Sequence, residues 1–341
     1  MQTVHNLFTS SFKTNLKKIL KKILTTVVKV LVFIVLLAAL VSFLEDLMQT
    51  GGSAVERKRA IEQRPANSID VMFIGNSHAY CTFNPAVIGD IMGKRVFNAG
   101  LPDQKIDMAY FTLREMLKNQ SPETIILEAF SFGRSNSDYA GFVANIDAMK
   151  PSLLKFQEAF EIFPDKYDAF RMSVGLFRSH NNWKKPSVMM DNLKYMLGSP
   201  AKDYVGFDGF YPLSSKMSAE TIKKYKDAAD IDFTPVVDEY SVGYFKRIVR
   251  LCKERNIRLV VAMAPFNDLY VEKVDYNGFY EKMNGLCRDE GIEYVDFNKL
   301  YKQIGLTYDD FEDAFHHAQH MNKWGAEKVS KYMAEYLKDV E

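Results

Sequence analysis

Ile69-Asp70-Val71-Met72-Phe73-Ile74-Gly75-Asn76-Ser77-His78 joins a short apolar run to a Gly-Asn-Ser-His tetrad. The run carries one charge and little sign of a polar face, which is how a strand covered by helices on both sides reads. Working outward, residues 95–97, 124–127, 258–263 and 293–297 repeat the pattern. Between the runs lie helical patterns at 85–92, 105–117, 242–255 and 279–290. Strand and helix alternate, which implies a doubly wound α/β sheet.

The chain has 341 residues, 47% hydrophobic and 26% charged, a globular composition with no sign of disorder. Its formal charge of +1 hides an asymmetry. Lys13, Lys17, Lys18, Lys21, Lys22 and Lys29 fall in the first 29 residues with no acid among them, so the remainder carries −5. An acidic body with no basic stripe gives no reason to expect a nucleic-acid partner. Residues 131–240 break the strand and helix rhythm and are rich in aromatics and Met, with Gly-Phe-Asp-Gly-Phe-Tyr at 206–211. They read as a mainly helical insertion whose aromatics form core, a substrate-facing wall, or both.

Residues 23–44 contain a single charge, Lys29. As a helix, 22 residues reach about 33 Å, enough to cross a hydrocarbon core of about 30 Å. A buried core helix and a cleaved signal peptide are the rival readings. No small-residue cleavage site follows promptly, which favours an uncleaved signal anchor. The boundaries read as a basic cytoplasmic leader at 1–22, an anchor at 23–45, a polar juxtamembrane connector at 46–68 and an α/β body with its insertion at 69–341. Lysines before the span and Glu45 and Asp46 after it predict a cytoplasmic N-terminus, with the body outside the membrane. Cys81, Cys252 and Cys287 are too scattered for a disulfide framework or a zinc site.

In an open α/β sheet, ligands sit beyond the carboxyl ends of the strands. Those positions hold Ser77 and His78 after the first run, Asn98 and Gly100 with Gln104 after the second, Glu128 after the third, Asn267 after the fourth and Asp296 after the fifth. Past the fifth run, Asp313, His316, His317 and His320 crowd one loop. His316 and His320 at i, i+4 have metal-ligand spacing, but no His-Glu-x-x-His pattern or third ligand accompanies them, and no cofactor is expected. A solvated surface run is a second reading. A third is nucleophilic catalysis, in which a serine needs an imidazole base and a carboxylate to fix the imidazole tautomer.

Gly75-Asn76-Ser77-His78, Asn98-Ala99-Gly100 and His320-Met321-Asn322-x-x-Gly325-Ala326 together resemble the SGNH (GDSL-type) hydrolase superfamily. More narrowly, residues 73–85 are similar to its membrane-anchored bacterial members, including relatives of the alginate O-acetyltransferase and teichoic-acid D-alanylation proteins. The resemblance covers about residues 69–338. It implies a flavodoxin-like three-layer α/β/α fold with a mainly parallel five-stranded sheet, carrying the helical insertion and the transmembrane helix. It also implies Ser77 as nucleophile, His320 as base and Gly100, with the Ser77 backbone N–H, in the oxyanion hole.

Two departures accompany the resemblance. The family carboxylate position, three residues before the base, is His317; Asp313 precedes His316 by three instead, leaving the base open between His320 and His316. No Gly-x-Asn-Asp follows the third run, so Gln104 and Asn267 stand as candidate oxyanion donors. His78, Asn98, Glu128 and His180 are the candidate substrate contacts, each with a plainer role as a packing, capping or loop residue.

An acyl-serine resolved by a sugar hydroxyl gives an O-acyltransferase, and one resolved by water gives an esterase or lipase. The expected partners are the lipid bilayer, a cell-surface polysaccharide or acyl donor, and a polytopic membrane protein that exports the acyl group. A non-catalytic scaffold that keeps the fold is the reading from a different class.

Overall fold

The computed structural model describes residues 2–132, 139–201, 208–228, 235–313 and 319–339. Five strands, β1 (Val71–Ile74), β2 (Val96–Asn98), β3 (Thr124–Glu128), β4 (Arg258–Met263) and β5 (Glu293–Asp296), form one parallel sheet in the order β2-β1-β3-β4-β5. Every residue of β1, β2 and β3 is buried, as their apolar runs require. The register sets Val71 beside Val96 on one side and Thr124 on the other, and Thr124 beside Arg258. This is the flavodoxin-like order expected from the sequence, with its switch point between β1 and β3.

The helices are α1 (Gln2–Met48), α2 (Ser53–Glu62), α3 (Ser77–Thr82), α4 (Pro85–Met92), α5 (Ile106–Met116), α6 (Tyr139–Ala148), α7 (Leu153–Ile162), α8 (Lys166–Ser173), α9 (Leu176–Ser179) and α10 (Pro186–Met196). They continue with α11 (Ala219–Asp227), α12 (Glu239–Glu254), α13 (Asp268–Val271), α14 (Tyr276–Glu290), α15 (Tyr301–Ile304) and α16 (Lys323–Asp339). Helices cover both faces of the sheet: α4 packs on α16, and α5 packs on α12. Local sequence sets several ends. Asn84 caps α4 ahead of Pro85, and Gly93 closes it with φ 68°. At α12, Asp238 and Ser241 form a reciprocal capping box.

Among the described residues one helix is long and apolar enough to cross a membrane, Leu16–Met48 within α1. Its side chains stand exposed from Leu16 to Leu40, and contact with the body begins at Val41. The last turns of α1 are held firmly. Glu45 is paired with Lys155, both buried. Asn192 Nδ2 donates to the carbonyls of Leu47 and Gln49, each at 2.9 Å, and Asn182 Nδ2 to that of Met48 at 2.9 Å. These amides satisfy carbonyls that a helix end otherwise leaves orphaned.

The polar segment after α1 is also structural. In α2, Glu56, Arg57, Lys58 and Arg59 are all buried, and α2 packs against α6.

Candidate active site

The turn that carries Ser77 is built from β1 outward. Gly75 sits at φ 145°, and a Cβ there would come within 2.7 Å of the Glu128 Cβ, so the close approach of β3 demands glycine. Asn76 then caps α3, its Oδ1 accepting from the His78 amide at 2.9 Å. Ser77 is the first residue of that helix. Its N–H is a first-turn amide, a position that a helix leaves without an intrahelical acceptor.

The partner loop is closed from the other side of the sequence. An isolated antiparallel bridge joins Phe311 to Met321, and the Glu312 N–H donates to the His320 carbonyl at 3.0 Å. Asn322 fastens the loop: its Nδ2 donates to the Asp309 carbonyl at 2.7 Å, and its Oδ1 accepts from Trp324 and Gly325 amides at 3.1 Å, starting α16. A Cβ on Gly325 would lie 2.4 Å from the Asp310 carbonyl, so this helix start needs glycine too.

The two segments bring His320 Nε2 to 2.8 Å from Ser77 Oγ. His320 Nδ1 faces Glu312 Oε1 at 3.5 Å, and the Glu312 side chain is fully buried. That separation is long for a hydrogen bond, as such contacts often are before substrate binds. Behind the imidazole, the His78 ring lies 4.7 Å from that of His320 and 4.2 Å from that of Phe130. Burial, and next the charge of a protonated His320, holds His78 well below the usual imidazole range. His78 is packed behind the His320 ring, the structural of the two places the sequence allowed it.

Several other expectations need correction. Beside His320 the carboxylate is Glu312, not Asp313. Asp313 accepts from the Ser218 amide at 3.2 Å and from Thr221 Oγ1 at 2.6 Å, at the start of α11. Neighbours in an extended segment point to opposite sides, and the bridge puts Glu312 on the His320 side. The sequence signal for Glu312 was absent, because its eight-residue separation from His320 means nothing until the bridge closes. His316, the alternative base and metal ligand, lies outside the described residues, as does His317.

Gln104 is not poised as an oxyanion donor: it is buried, with Nε2 given to Thr112 and Asn145, each at 3.1 Å. Asn267 caps α13, accepting from the Tyr270 amide at 2.9 Å. Asn98 is buried, donating to the Ala79 and Phe83 carbonyls at 2.8 and 3.0 Å, so it laces β2 to α3 instead of meeting substrate. Its Oδ1 also receives the Gly100 N–H at 3.2 Å. Gly100 still lies against the turn that carries Ser77, where a Cβ would sit 3.1 Å from the Asn76 carbonyl.

Glu128 is wholly buried, which removes it from substrate contact. Its Oε1 accepts from the Phe130 and Ala264 amides at 3.0 and 3.4 Å, tying the ends of β3 and β4, and burial pushes its carboxyl up to about 8. His180 is exposed in the 3-10 helix His180–Lys184 beside the end of α1, remote from this cluster in the contact pattern.

Arg57 of α2 was not anticipated. Its guanidinium lies 3.6 Å over the Tyr80 ring, and it donates to the carbonyls of Gly209 at 2.7 Å and Gly100 at 3.4 Å. The returning segment of the insertion, residues 208–211, frames the same place. Asp208 accepts from the Asn98 amide at 2.8 Å, and Tyr211 donates its N–H to the Tyr80 carbonyl at 2.9 Å.

No family model matches the chain, and no curated protein does. Solved structures similar to it include a protein described as a lipolytic protein of the G-D-S-L family from Desulfitobacterium hafniense, at 13% identity and TM-score 0.37, covering 78% of this chain and 97% of that one. A GDSL-like lipase from Bacteroides thetaiotaomicron matches at 10% identity and TM-score 0.40, covering 85% and 100%. A protein described as an acylhydrolase from Bacteroides fragilis matches at 11% and 0.37, covering 85% and 99%. At that level of likeness they do not by themselves place the chain in a family.

Proposed function

We propose that this protein is a membrane-anchored serine acyl-transfer enzyme acting outside the cytoplasm. Its reaction is the movement of an O-acyl group, acetyl in the first instance, to or from cell-envelope polysaccharide. The observation that carries the reading is the aligned series Ser77 Oγ, His320 and Glu312. In the first step Ser77 Oγ attacks the ester carbonyl while its proton passes to His320 Nε2. The Ser77 N–H, with Gly100 N–H turning from Asn98, receives the developing oxyanion. Collapse breaks the bond to the alkoxide, which takes the proton from His320 and leaves acyl-Ser77. An acceptor hydroxyl then gives its proton to His320 and attacks the acyl carbonyl, releasing Ser77.

A sugar hydroxyl as acceptor makes the enzyme a transferase, and water makes it an esterase. The anchor supports the first, because it keeps the body beside polymer emerging at the membrane; a polytopic acyl-exporting protein is then the donor's source. The test is a fluorophosphonate probe on the full-length protein. Ser77 is labelled and Ser77→Ala is not; a protein that stays unlabelled where a known serine esterase reacts is a scaffold. Release from an aryl acetate that accelerates only with added oligosaccharide, with acyl-sugar formed, selects transfer; release indifferent to oligosaccharide selects hydrolysis.

A further inference from the structure

The insertion forms a collar around the last turns of α1. Helices α9 and α10 and the 3-10 helix His180–Lys184 all touch α1, and Gly175 lies so close to Glu45 that a Cβ would come within 2.6 Å of its Oε1. The collar's level is set by two lengths. The exposed stretch from Ile23 to Leu40, apolar but for Thr25, Thr26 and Lys29, is 18 residues, about 27 Å of helix, close to the hydrocarbon thickness of a bilayer. Packing begins immediately after it, at Val41. The collar thus occupies the headgroup zone by construction, if α1 spans.

The insertion that grips α1 leaves large rings uncovered. Phe160, Tyr167, Phe170, Phe177 and Trp183 are 42–70% exposed. Three of them are joined: the Phe156 ring lies 6.4 Å from both Phe160 and Phe170, and Phe170 lies 5.6 Å from Phe177. Trp183 follows within the 3-10 helix that touches α1. Cations accompany the rings, with Lys184 5.5 Å from the Trp183 ring and Arg171 5.7 Å from that of Tyr167. Residues 165–196 hold six basic residues against three acids, whereas the exported chain as a whole is acidic. Aromatic rings with flanking cations are the composition of the membrane interface, where an amphipathic ring has one side apolar and one wet.

We propose that this aromatic face of the insertion is seated in the headgroup and upper acyl region of the same bilayer that α1 spans, fixing the body against the membrane instead of leaving it on a tether. The proposal rests on the membrane reading of α1 and is independent of the chemistry at Ser77. The chain has two tryptophans, so Trp324→Phe leaves Trp183 alone as a reporter. The full-length variant, reconstituted in phosphatidylcholine–phosphatidylglycerol vesicles, is read with lipids carrying a nitroxide at carbon 5 or carbon 12 and with aqueous acrylamide. Trp183 is expected to be quenched at least about twofold more by the carbon-5 label than by the carbon-12 label, as interfacial residence requires. Adding Phe170→Ser and Phe177→Ser should at least halve that quenching. Retained protein with Trp183 open to acrylamide and untouched by either lipid overturns the proposal alone. Trp183 shielded from both acrylamide and lipid also overturns it, in favour of a protein cover. Extraction by alkaline carbonate overturns the span, and the proposal with it.

Discussion

At the residue scale, Glu312 and Asp313 are adjacent acids with different tasks. A carboxylate beside Nδ1 fixes the tautomer that leaves Nε2 free to take the serine proton, and loss of that role in a triad costs about 10²–10⁴ in rate. Glu312→Gln should therefore lose about that much in aryl-acetate turnover, while Asp313→Asn, which weakens the start of α11, stays within about threefold. Equal losses would return the role to Asp313. Glu128 offers a second test through pH. Its carboxyl is raised to about 8 in the fold against an ordinary value of 4.5, so the folded state holds a proton that the unfolded chain releases between those values. Stability from this group is present below about 4.5 and declines as pH rises toward 8. Glu128→Gln cannot release that proton, so its melting temperature relative to the parent should climb from pH 5 to pH 8. A constant offset would show that Glu128 is ionised throughout.

At the element scale, α2 changes what the region between anchor and body means. Its charges suit a connector by composition, yet Arg57 is buried and reaches the Gly100 loop and the ring of Tyr80. A chain beginning at Ser68 should lose probe labelling at Ser77, whereas one beginning at Val41 keeps it; equal labelling would make α2 dispensable. The end of α1 is coupled to the body by the buried pair of Glu45 and Lys155. Removing one member of such a pair strands the other charge at a cost of about 3–5 kcal/mol. Glu45→Gln should accordingly lower the melting temperature by several degrees in detergent, and no change would mean that the pair contributes little. The His320 loop is an element of the same kind, a short bridge that turns an eight-residue separation into a side-by-side contact.

At the scale of the whole molecule, the prediction is orientation. The three cysteines are buried, so added ones report cleanly. A membrane-impermeant maleimide on intact cells should label Lys282→Cys on the body and leave Lys17→Cys untouched. The reverse pattern would overturn the extracytoplasmic assignment and the polymer-modifying role together.

The five apolar runs, their order along the chain and the long uncharged segment were legible because each is a local property: strands buried on both faces must be apolar throughout, and a span must be long. Ser77 and His320 were legible through the short motifs around them, Gly75-Asn76 before the one and Asn322 and Gly325 after the other, although the contacts that demand those glycines, with Glu128 and with the Asp310 carbonyl, come from other segments. Glu312, Arg57 and the bracing roles of His78, Asn98 and Gln104 were not. Their partners lie far away in the sequence, and a buried polar side chain takes its task from whichever group the fold sets beside it. Sequence alone determined the sheet and the apolar segment, and offered Ser77 with either His320 or His316 as its imidazole. Only the tertiary structure decided which acid stands behind that imidazole and how the anchor is joined to the body, because both depend on contacts between segments that no local spacing encodes.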